Sequence, residues 1–399
     1  MTRRVVITGV GFVSSLAPDG PSTWARMLEG ACAIGPLTKL KMPGEPAQMA
    51  AEVHLPEDPS FGRRVTLGER MALMALGESL QTTTGPKGLD PHRMGSFQGA
   101  GTSGLPSAET YTQGRMAGRK PGAANAIYQS PTTITDALAR ELGASGPRST
   151  VMTACSSSLM AIGQAWERIA AGELDLAVAG GAETLCMTTY AGFSSLKAMD
   201  PGLCRPFSGD RAGLNLGEGS AQFVLEPLDQ ALARGAEIFA EVLGYGASLD
   251  AHHSTAPHPE GDGAARAIRM AMDCAGFNPS DVDFISAHGT ATPANDCSET
   301  TAIKTALGEA ATRVSVTSTK SQFGHTLGAS GAVGAFAAVM SLRTGKVSPT
   351  LRLEDPDPAC DLDYTPLHAR DRNVRAALVN AFAFGGNNAC VALRRWEGR

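Results

Sequence analysis

Short apolar strands alternate with helical stretches from one end of this chain to the other. The predicted strands are at residues 5–8, 149–153, 176–179, 223–226, 239–244, 284–287, 315–318 and 377–383. Many of them are continuous apolar runs, which are typical of sheets that are covered on both faces. Because helices lie between the strands, the pattern predicts an α/β fold.

One strand–loop–helix unit occurs twice in this pattern. The first unit runs through Thr-Ala-Cys-Ser-Ser-Ser into a helix at residues 158–171, whose apolar residues recur at helical spacing. The second runs through a Gly-rich loop into a helix at residues 332–343 that is apolar nearly all round and should therefore be buried. The repetition predicts a duplicated fold with an N-terminal half at 1–245 and a C-terminal half at 246–399.

Charge and cysteine content exclude several classes of protein. With 34 basic and 39 acidic residues the chain carries a net charge of −5, which argues against an electrostatic nucleic-acid binder. Eight cysteines without a C-x-x-C pair exclude a disulfide scaffold and a zinc ribbon. The longest uncharged stretch, residues 326–342, is shorter than the roughly 20 apolar residues that span a bilayer. We therefore expect a cytoplasmic protein that binds neither nucleic acid nor membrane.

Cys155 is the first candidate for chemistry, because it lies between a strand end and a helix start among small residues. The helix that follows directs unpaired N–H groups and its positive dipole end at the sulfur, which favours the thiolate. The alternative is that Cys155 is a small buried hydrophobic residue, as many free cysteines are.

Two further motifs place titratable side chains at strand ends. His288 follows an apolar strand, and Asp296 and Glu299 come one helical turn apart at an apparent helix start. Lys320 and His325 lie five residues apart in the Gly-rich loop of the second unit. The alternatives are an ordinary loop histidine in the first motif, and an exposed lysine with a structural histidine in the second.

Phe384 ends an apolar strand and is followed by two glycines. Backbone N–H groups exposed at such a strand end could hold an oxyanion. The alternative is a simple glycine turn. Near the N-terminus, residues 9–14 (GVGFVS) lack the third glycine of a dinucleotide-binding fingerprint, so that interpretation is rejected.

Taken together, these segments resemble the β-ketoacyl-acyl-carrier-protein synthases, the elongating condensing enzymes of the thiolase-like superfamily. The matching motifs occur in order along nearly the whole chain: RRVVITGVG, TACSSS, GGAE, RPFSGDRAG, LGEG, AHGTATPANDCSE, STKSQFGHTLGASGA and FGGNN. The resemblance implies a thiolase-like, five-layered αβαβα fold built from two halves and assembled as a dimer.

The resemblance also implies a reaction and a first set of roles. An acyl group moves from an acyl carrier protein to a cysteine, malonyl-carrier protein loses CO₂, and the resulting carbanion attacks the thioester. Cys155 would be the nucleophile, and the N–H groups of Cys155 and Phe384 would form the oxyanion hole. Phe384 also matches the gating phenylalanine of the family.

The remaining residues that the resemblance assigns support the second half-reaction and the carrier. His288 and His325 would hydrogen-bond the malonyl thioester carbonyl, and Lys320 would orient the site, with Glu299 as its partner and Asp296 in support. The pantetheine arm would contact Thr290 and Thr292. The carrier protein would dock on Arg63, Arg64, Arg70 and Arg205. No metal or cofactor is implied, since the substrates are carried on phosphopantetheine.

Departures from the family pattern qualify this assignment. Gly334 stands where many members have glutamate, and Ser286 stands where many have asparagine, so we expect a structural monovalent cation to be weak or absent. The segment at 104–132 is shorter than in housekeeping elongation enzymes, so chain-length preference should differ. TACSSS is commoner in polyketide-type synthases, which favours a type II polyketide or other specialised pathway over primary fatty acid synthesis.

Three alternatives remain beside a homodimeric synthase. The chain could be the active subunit of a heterodimer formed by a ketosynthase and a chain-length factor. A non-catalytic chain-length factor shares the fold but typically lacks the nucleophile, which is present here at Cys155. A thiolase would use a different pair of cysteines and would not need the loop that carries Lys320 and His325.

Overall fold

The computed structural model describes residues 2–42, 48–56, 58, 61, 65–81 and 88–398. The strands are β1 Val5–Ser14, β2 Gly35–Pro36, β3 Met49–Ala51, β4 Met94–Gly99, β5 Arg148–Val151, β6 Leu176–Glu183, β7 Leu216–Gly217, β8 Gly219–Pro227, β9 Ala240–Leu249, β10 Phe284–Ser286, β11 Ser315–Thr317, β12 Lys346–Val347, β13 Arg370–Asp371, β14 Ala376–Ala383 and β15 Asn387–Arg394. The helices are α1 Gly20–Leu28, α2 Leu67–Gln81, α3 Leu105–Met116, α4 Ala123–Ile127, α5 Thr133–Leu142, α6 Ser157–Ala170, α7 Met187–Ser195, α8 Leu228–Ala233, α9 Asp262–Ala275, α10 Pro293–Leu307, α11 Lys320–Phe323 and α12 Ser330–Thr344.

Ten of these strands form one mixed sheet in the order β11-β10-β14-β15-β9-β1-β8-β6-β4-β5. The five sheet strands of the N-terminal half, numbered by their order in the sequence and counted outward from β1, lie in the order first, fifth, fourth, second, third. Counted outward from β9, the C-terminal half has the same order. The outer three strands of each half are parallel, and the other pairs are antiparallel. The predicted duplication is therefore confirmed.

The two halves join where β1 pairs with β9, at the start of both strands. A boundary between residues 245 and 246 falls inside β9, which spans Ala240–Leu249. The division of the chain at that position stays a prediction.

The five layers of the fold pack through three of its hydrophobic clusters, and the central cluster has strands on both sides. Residues of α6 and α12 pack between the two halves of the sheet, with Leu159 and Phe336 fully buried there. Helices α2 and α5 cover the outer face of the N-terminal half through Leu76 and Leu138. Helices α9 and α10 cover the outer face of the C-terminal half. This α/β/α/β/α order is the thiolase-like, five-layered architecture that the family resemblance implies.

The central helices α6 and α12 approach each other very closely at Gly331. A Cβ atom at this residue would lie 2.7 Å from Leu159 Cβ and 2.8 Å from the Leu159 backbone nitrogen. Beside this contact, the Ala332 N–H donates to Ser158 Oγ at 2.9 Å. Because both helices start at this crossing, the loops that precede them are brought together, and these loops carry Cys155 and His325.

Helix α12 accounts for the most apolar stretch of the chain. Among the described residues, Leu327–Thr344 has the length and composition that could cross a membrane, and 83% of this segment is buried inside the fold. The expectation of a buried helix here is confirmed.

Most of the predicted strands and helices occur within a few residues of their expected limits. The predicted helix at 158–171 is α6 (Ser157–Ala170), and the predicted helix at 332–343 is α12 (Ser330–Thr344). Strands β4 and β15 were not among the predicted strands, although both lie in the ten-stranded sheet.

Candidate active site

Cys155 lies on a short 3₁₀ turn, Ala154–Ser156, between the end of β5 and the start of α6. Ala154 has a φ of +50°, a conformation that costs energy for a residue with a side chain. Ser157 Oγ accepts the Thr153 N–H at 2.9 Å and donates to the Ala154 carbonyl at 2.6 Å, which holds the turn in place. The strained turn directs the Cys155 thiol into the interior, where it is 5% exposed.

The loop after β10 is fixed by Glu299 of α10. The carboxylate of Glu299 accepts the backbone N–H of His288 at 2.8 Å and that of Gly289 at 2.7 Å. Lys320 Nζ donates to the His288 carbonyl oxygen and lies 3.4 Å from His288 Nδ1. No ion pair within 4 Å joins Lys320 to Glu299 in the described chain, so Glu299 acts on the backbone of His288.

Asp296, one turn earlier on α10, holds the next part of the same loop. Its carboxylate accepts the N–H of Phe207 at 2.7 Å and that of Ala291 at 3.2 Å. The hydroxyls of Thr290 and Thr292, on either side of Ala291, lie 2.8 Å apart. The two carboxylates thus position the loop that carries His288 and both threonines.

His325 follows α11 in the second strand–loop–helix unit. Its Nδ1 accepts the Leu327 N–H at 3.0 Å, so in the neutral ring the proton must be on Nε2. The ring centroids of His325 and His288 are 5.4 Å apart with an angle of 83° between the planes. Burial and the charge of Lys320 lower the pKa of both rings well below 6.5. Both imidazoles are therefore uncharged near neutral pH.

These loops bring Cys155 and the two histidines together. The Cys155 sulfur and one ring nitrogen each of His288 and His325 all lie within 4.8 Å of one another. Burial raises the pKa of Cys155 to about 11, although Lys320 and the backbone N–H groups of Phe384 and Cys155 act in the opposite direction. The thiol is therefore the resting form, and burial outweighs the thiolate preference expected from the helix start.

Lys320 is the charged group of this cluster. Burial lowers its pKa to about 8, and the nearby charge of Glu299 limits that decrease. One cysteine and two histidines are a ligand set that zinc accepts. The Lys320 ammonium opposes a second cation at this position, since it lies 3.4 Å from His288 Nδ1. The absence of a metal from the chemistry stays a prediction.

A cavity of about 310 Å³ connects this cluster to the surface. Its walls are formed by residues from both halves of the chain, among them Phe193, Lys197, Asp250, Thr255, Thr290, Thr292, Asn295 and Phe384. The rings of Phe193 and Phe384 are stacked, with centroids 5.4 Å apart and an angle of 23° between them. Cys155, His288 and His325 also line this cavity.

The glycines after Phe384 are required by their backbone conformation. Gly385 has a φ of +81° and Gly386 a φ of +74°, in the region that favours glycine. A Cβ at Gly386 would lie 2.8 Å from Asp250 Cβ, and the Gly385 N–H donates to the Ser254 carbonyl at 2.8 Å. This turn directs the Phe384 N–H at the Cys155 sulfur, where it lowers the pKa of the thiol.

Of the proposed docking arginines, neither Arg70 nor Arg205 lines the cavity. Arg63 and Arg64 lie outside the described residues. The guanidinium of Arg70 lies 5.3 Å from the centre of the Phe61 ring. Arg205 donates to Asp210 at 2.8 Å and lines a separate hollow. Carrier docking on these four residues stays a prediction.

The structure also places the two residues that depart from the family pattern. Gly334 of α12 faces Ser286, since a Cβ at residue 334 would lie 3.0 Å from Ser286 Oγ. Within the described chain this hydroxyl is buried without a hydrogen-bond partner. The expectation of a weak or absent monovalent cation stays a prediction.

Several residues of the site were not identified from the sequence. Phe193 and Lys197 belong to a segment without any motif, so nothing in the sequence indicated them. Glu183 had a signal, because it is a lone carboxylate at the end of the apolar strand β6. Its buried carboxylate accepts N–H groups from Gly101 at 2.6 Å and Gly328 at 2.9 Å, which ties the two halves together behind Cys155.

Comparison with known families identifies the class of protein that this fold and site define. The model of the beta-ketoacyl synthase N-terminal domain matches residues 2–231, and that of the C-terminal domain matches residues 239–354. The chain belongs to the beta-ketoacyl synthase family and is a condensing acyltransferase.

Individual relatives are similar over almost the whole chain. The 3-oxoacyl-[acyl-carrier-protein] synthase 2 of Staphylococcus aureus (strain COL) is 36% identical over 99% of both chains. A structure titled as the ishigamide ketosynthase/chain length factor matches with a TM-score of 0.92 and 35% identity, covering 99% of this chain and 100% of that chain. A type II polyketide synthase acyl-carrier protein in complex with its ketosynthase matches with a TM-score of 0.93 and 29% identity, covering all of both chains.

Proposed function

We propose that this chain elongates an acyl group bound to Cys155 by decarboxylative condensation with a malonyl group on an acyl carrier protein. The observation that carries the proposal is the cluster at one cavity, where the Cys155 sulfur lies within 4.8 Å of two imidazole nitrogens. A nucleophile and two neutral hydrogen-bond donors around one reacting centre suit thioester chemistry.

The first half-reaction transfers the acyl group. The Cys155 sulfur attacks the carbonyl carbon of the acyl-carrier thioester, and the N–H groups of Cys155 and Phe384 bind the oxygen that becomes negative. The carrier thiolate leaves and takes up the proton that Cys155 loses. Because burial raises the pKa of Cys155 to about 11, the thiolate forms only as the sulfur reacts.

The second half-reaction uses the two histidines. The malonyl thioester oxygen accepts the Nε2–H groups of His288 and His325, so the enolate that forms on loss of CO₂ is stabilised where its charge develops. The enolate carbon attacks the Cys155 thioester, and the sulfur leaves as a thiolate, which takes up a proton from solvent to return to the resting thiol. The product is a β-ketoacyl group on the carrier protein. Neutral rings serve this step because His325 Nδ1 is already occupied by the Leu327 N–H.

The remaining polar residues position these groups. Lys320 donates toward His288 and keeps His288 Nδ1 an acceptor, which leaves the proton of that ring on Nε2. Thr290 and Thr292 line the cavity and offer hydroxyls to the amides of a pantetheine arm. We propose that no metal or cofactor takes part, since the backbone N–H groups, the two imidazoles and Lys320 stabilise the charges that form, and solvent supplies the one proton that each cycle consumes.

The carrier protein and a second subunit are the partners that we propose. The similarity to a ketosynthase in complex with its acyl-carrier protein supports the first. At the cavity mouth, Lys197 is exposed and suits the phosphate that a pantetheine arm carries. Arg70 and Arg205 remain candidates for contacts with an acidic carrier surface.

The open edge of the sheet is the surface that we propose for the subunit contact. No strand flanks β5 on its outer side in the described chain, and Met152 just beyond it is 53% exposed. At the opposite edge, β11 is buried and the Val316 N–H donates to the Asp363 carbonyl at 2.7 Å. An unpaired edge strand favours pairing with a second chain. Native mass measurement on chain purified from its own host distinguishes a homodimer from a heterodimer with a ketosynthase-like subunit.

The pathway that we propose is polyketide or fatty acid synthesis in the cytoplasm. Similarity to the type II polyketide ketosynthase and to the ishigamide ketosynthase/chain length factor supports a specialised pathway. The similarity to 3-oxoacyl-[acyl-carrier-protein] synthase 2 supports the same elongating chemistry.

Intact-mass analysis after incubation with a panel of acyl-carrier proteins tests the proposal. The wild-type chain should gain the mass of one acyl group, and Cys155→Ala should gain none. Cys274→Ala is the matched control, because Cys274 is an exposed cysteine of α9 and its loss should leave the acylation intact. Acyl transfer to Cys155→Ala at the wild-type rate would show that the nucleophile is assigned wrongly. A wild-type chain that gains no acyl group from any carrier would favour a non-catalytic subunit.

A further inference from the structure

The N-terminus of α7 receives its hydrogen-bond acceptor from another helix. The Glu109 carboxylate of α3 accepts the Met187 N–H at 3.1 Å and the Thr188 N–H at 2.5 Å. Cys186 is the N-cap residue of α7, but its side chain makes no capping hydrogen bond. The first turn of the helix contains no acidic residue. Glu109 therefore supplies both the acceptor atoms and the negative charge that a helix start favours.

Helix α7 packs against the fold through Tyr190 and Phe193, which share a hydrophobic cluster with Leu185, Leu214 and Leu216. Tyr190 is the buried residue of this nine-residue helix, and its hydroxyl lies 3.4 Å from the Met49 carbonyl. This packing holds the middle of α7, and the two hydrogen bonds to Glu109 hold its start.

Helix α7 carries one half of the aromatic pair at the cavity. Phe193 lies six residues after Met187, so about 9 Å of helix separates it from the N–H groups that Glu109 binds. The Phe193 ring stacks on Phe384 with centroids 5.4 Å apart. The N–H of Phe384 in turn faces the Cys155 sulfur.

We infer that Glu109 is a positioning residue, which holds the Phe193–Phe384 pair, and with it the Phe384 N–H, over Cys155. The inference rests on the proposed acylation of Cys155 and adds a residue of α3 that touches neither the thiol nor the cavity. Loss of the carboxylate frees the start of α7, so the ring of Phe193 moves away from Phe384. The cavity then opens more often, and the Phe384 N–H faces the sulfur less often.

Two rates that should change in opposite directions test this inference. Glu109→Ala should acylate Cys155 more slowly than the wild type at saturating acyl-carrier protein, by up to about fivefold, the factor that corresponds to the roughly 1 kcal/mol of helix stability lost with an N-cap acceptor. The carrier concentration for half-maximal rate should not change. Alkylation of Cys155 by a bulky maleimide should become faster by a similar factor. Glu109→Gln keeps one acceptor oxygen, so both of its rates should lie between those of the wild type and of Glu109→Ala. Glu141→Ala is the control, because it removes an exposed carboxylate of α5 and should change neither rate.

Each possible result decides the inference. Slower acylation together with faster maleimide alkylation, partly rescued by glutamine, supports it. An unchanged rate of either reaction in Glu109→Ala overturns it, and so does labelling of the buried Cys204 at the same rate as Cys155, because that result indicates general unfolding. A wild-type chain that is never acylated contradicts the proposed function instead, and the maleimide rates still test the role of Glu109.

Discussion

Lowering the pH from about 7.5 to about 5.5 should destabilise the folded chain through His288 and His325. Both rings are buried, and burial together with Lys320 lowers their pKa well below 6.5. The unfolded chain takes up protons on these residues as the pH falls through 6.5, whereas the folded chain does not. The folded chain therefore has its full stability above the pKa of about 6.5 that these histidines have in the unfolded chain, and it loses stability as the pH falls below that value.

The size of the effect follows from the unfolded pKa. A histidine that stays neutral in the folded state contributes about 1.4 kcal/mol of destabilisation at pH 5.5, because the unfolded residue is about nine-tenths protonated there. The two histidines together then account for about 2.8 kcal/mol. This is a substantial fraction of the roughly 5–15 kcal/mol that stabilises a typical protein.

Urea unfolding followed by tryptophan fluorescence at both pH values measures the effect. His288→Asn and His325→Asn should each make the loss of stability between the two pH values smaller by about 1.4 kcal/mol, and the double variant should make it smaller by about 2.8 kcal/mol. Burial raises the pKa of Glu183 and Glu299, which act in the opposite direction in the wild type and the variants alike. His368→Asn is the control, because His368 is exposed and should leave the pH dependence unchanged. If both buried variants keep the wild-type pH dependence, the folded chain carries charged imidazolium rings, and the neutral-donor mechanism is wrong.

Two further predictions concern the lysine of the site and the contact between the central helices. Because burial lowers the pKa of Lys320 to about 8, the condensation rate of the wild type should fall as the pH rises through that value, and Lys320→Met should be slow at every pH. A pH–rate profile without a decrease near pH 8 would show that condensation does not require a charged Lys320. Gly331→Val should destabilise the fold by about 1–3 kcal/mol, since the added Cβ would lie 2.7 Å from Leu159 Cβ. An unchanged melting temperature would contradict that close packing, and Gly77→Val is the comparison, because a Cβ at this exposed position of α2 would meet nothing within 4 Å.

The sequence determined the order of the elements and the places where reactive side chains occur. Apolar runs followed by small residues or glycines predicted that Cys155, His288 and Phe384 stand at strand ends, and all three do. This succeeded because a strand, the turn after it and the following helix start are local structures, and their signals lie within about ten residues. The repeated strand–loop–helix unit likewise predicted the duplicated sheet topology.

The sequence did not predict two strands whose local signals are weak. Strand β4 (MGSFQG) has few β-branched residues, and β15 (NNACVALR) begins directly after the glycine turn. Both form because neighbouring strands supply hydrogen bonds and burial, which belong to the sheet as a whole.

Only the tertiary structure decided the environment of the site. Burial raises the pKa of Cys155, Glu299 binds the backbone of His288, and Glu109 caps α7 from 78 residues away. Desolvation and contacts between distant segments depend on which surfaces meet after folding. A helix start favours a thiolate whenever water remains nearby, and whether water remains is a property of the packed molecule.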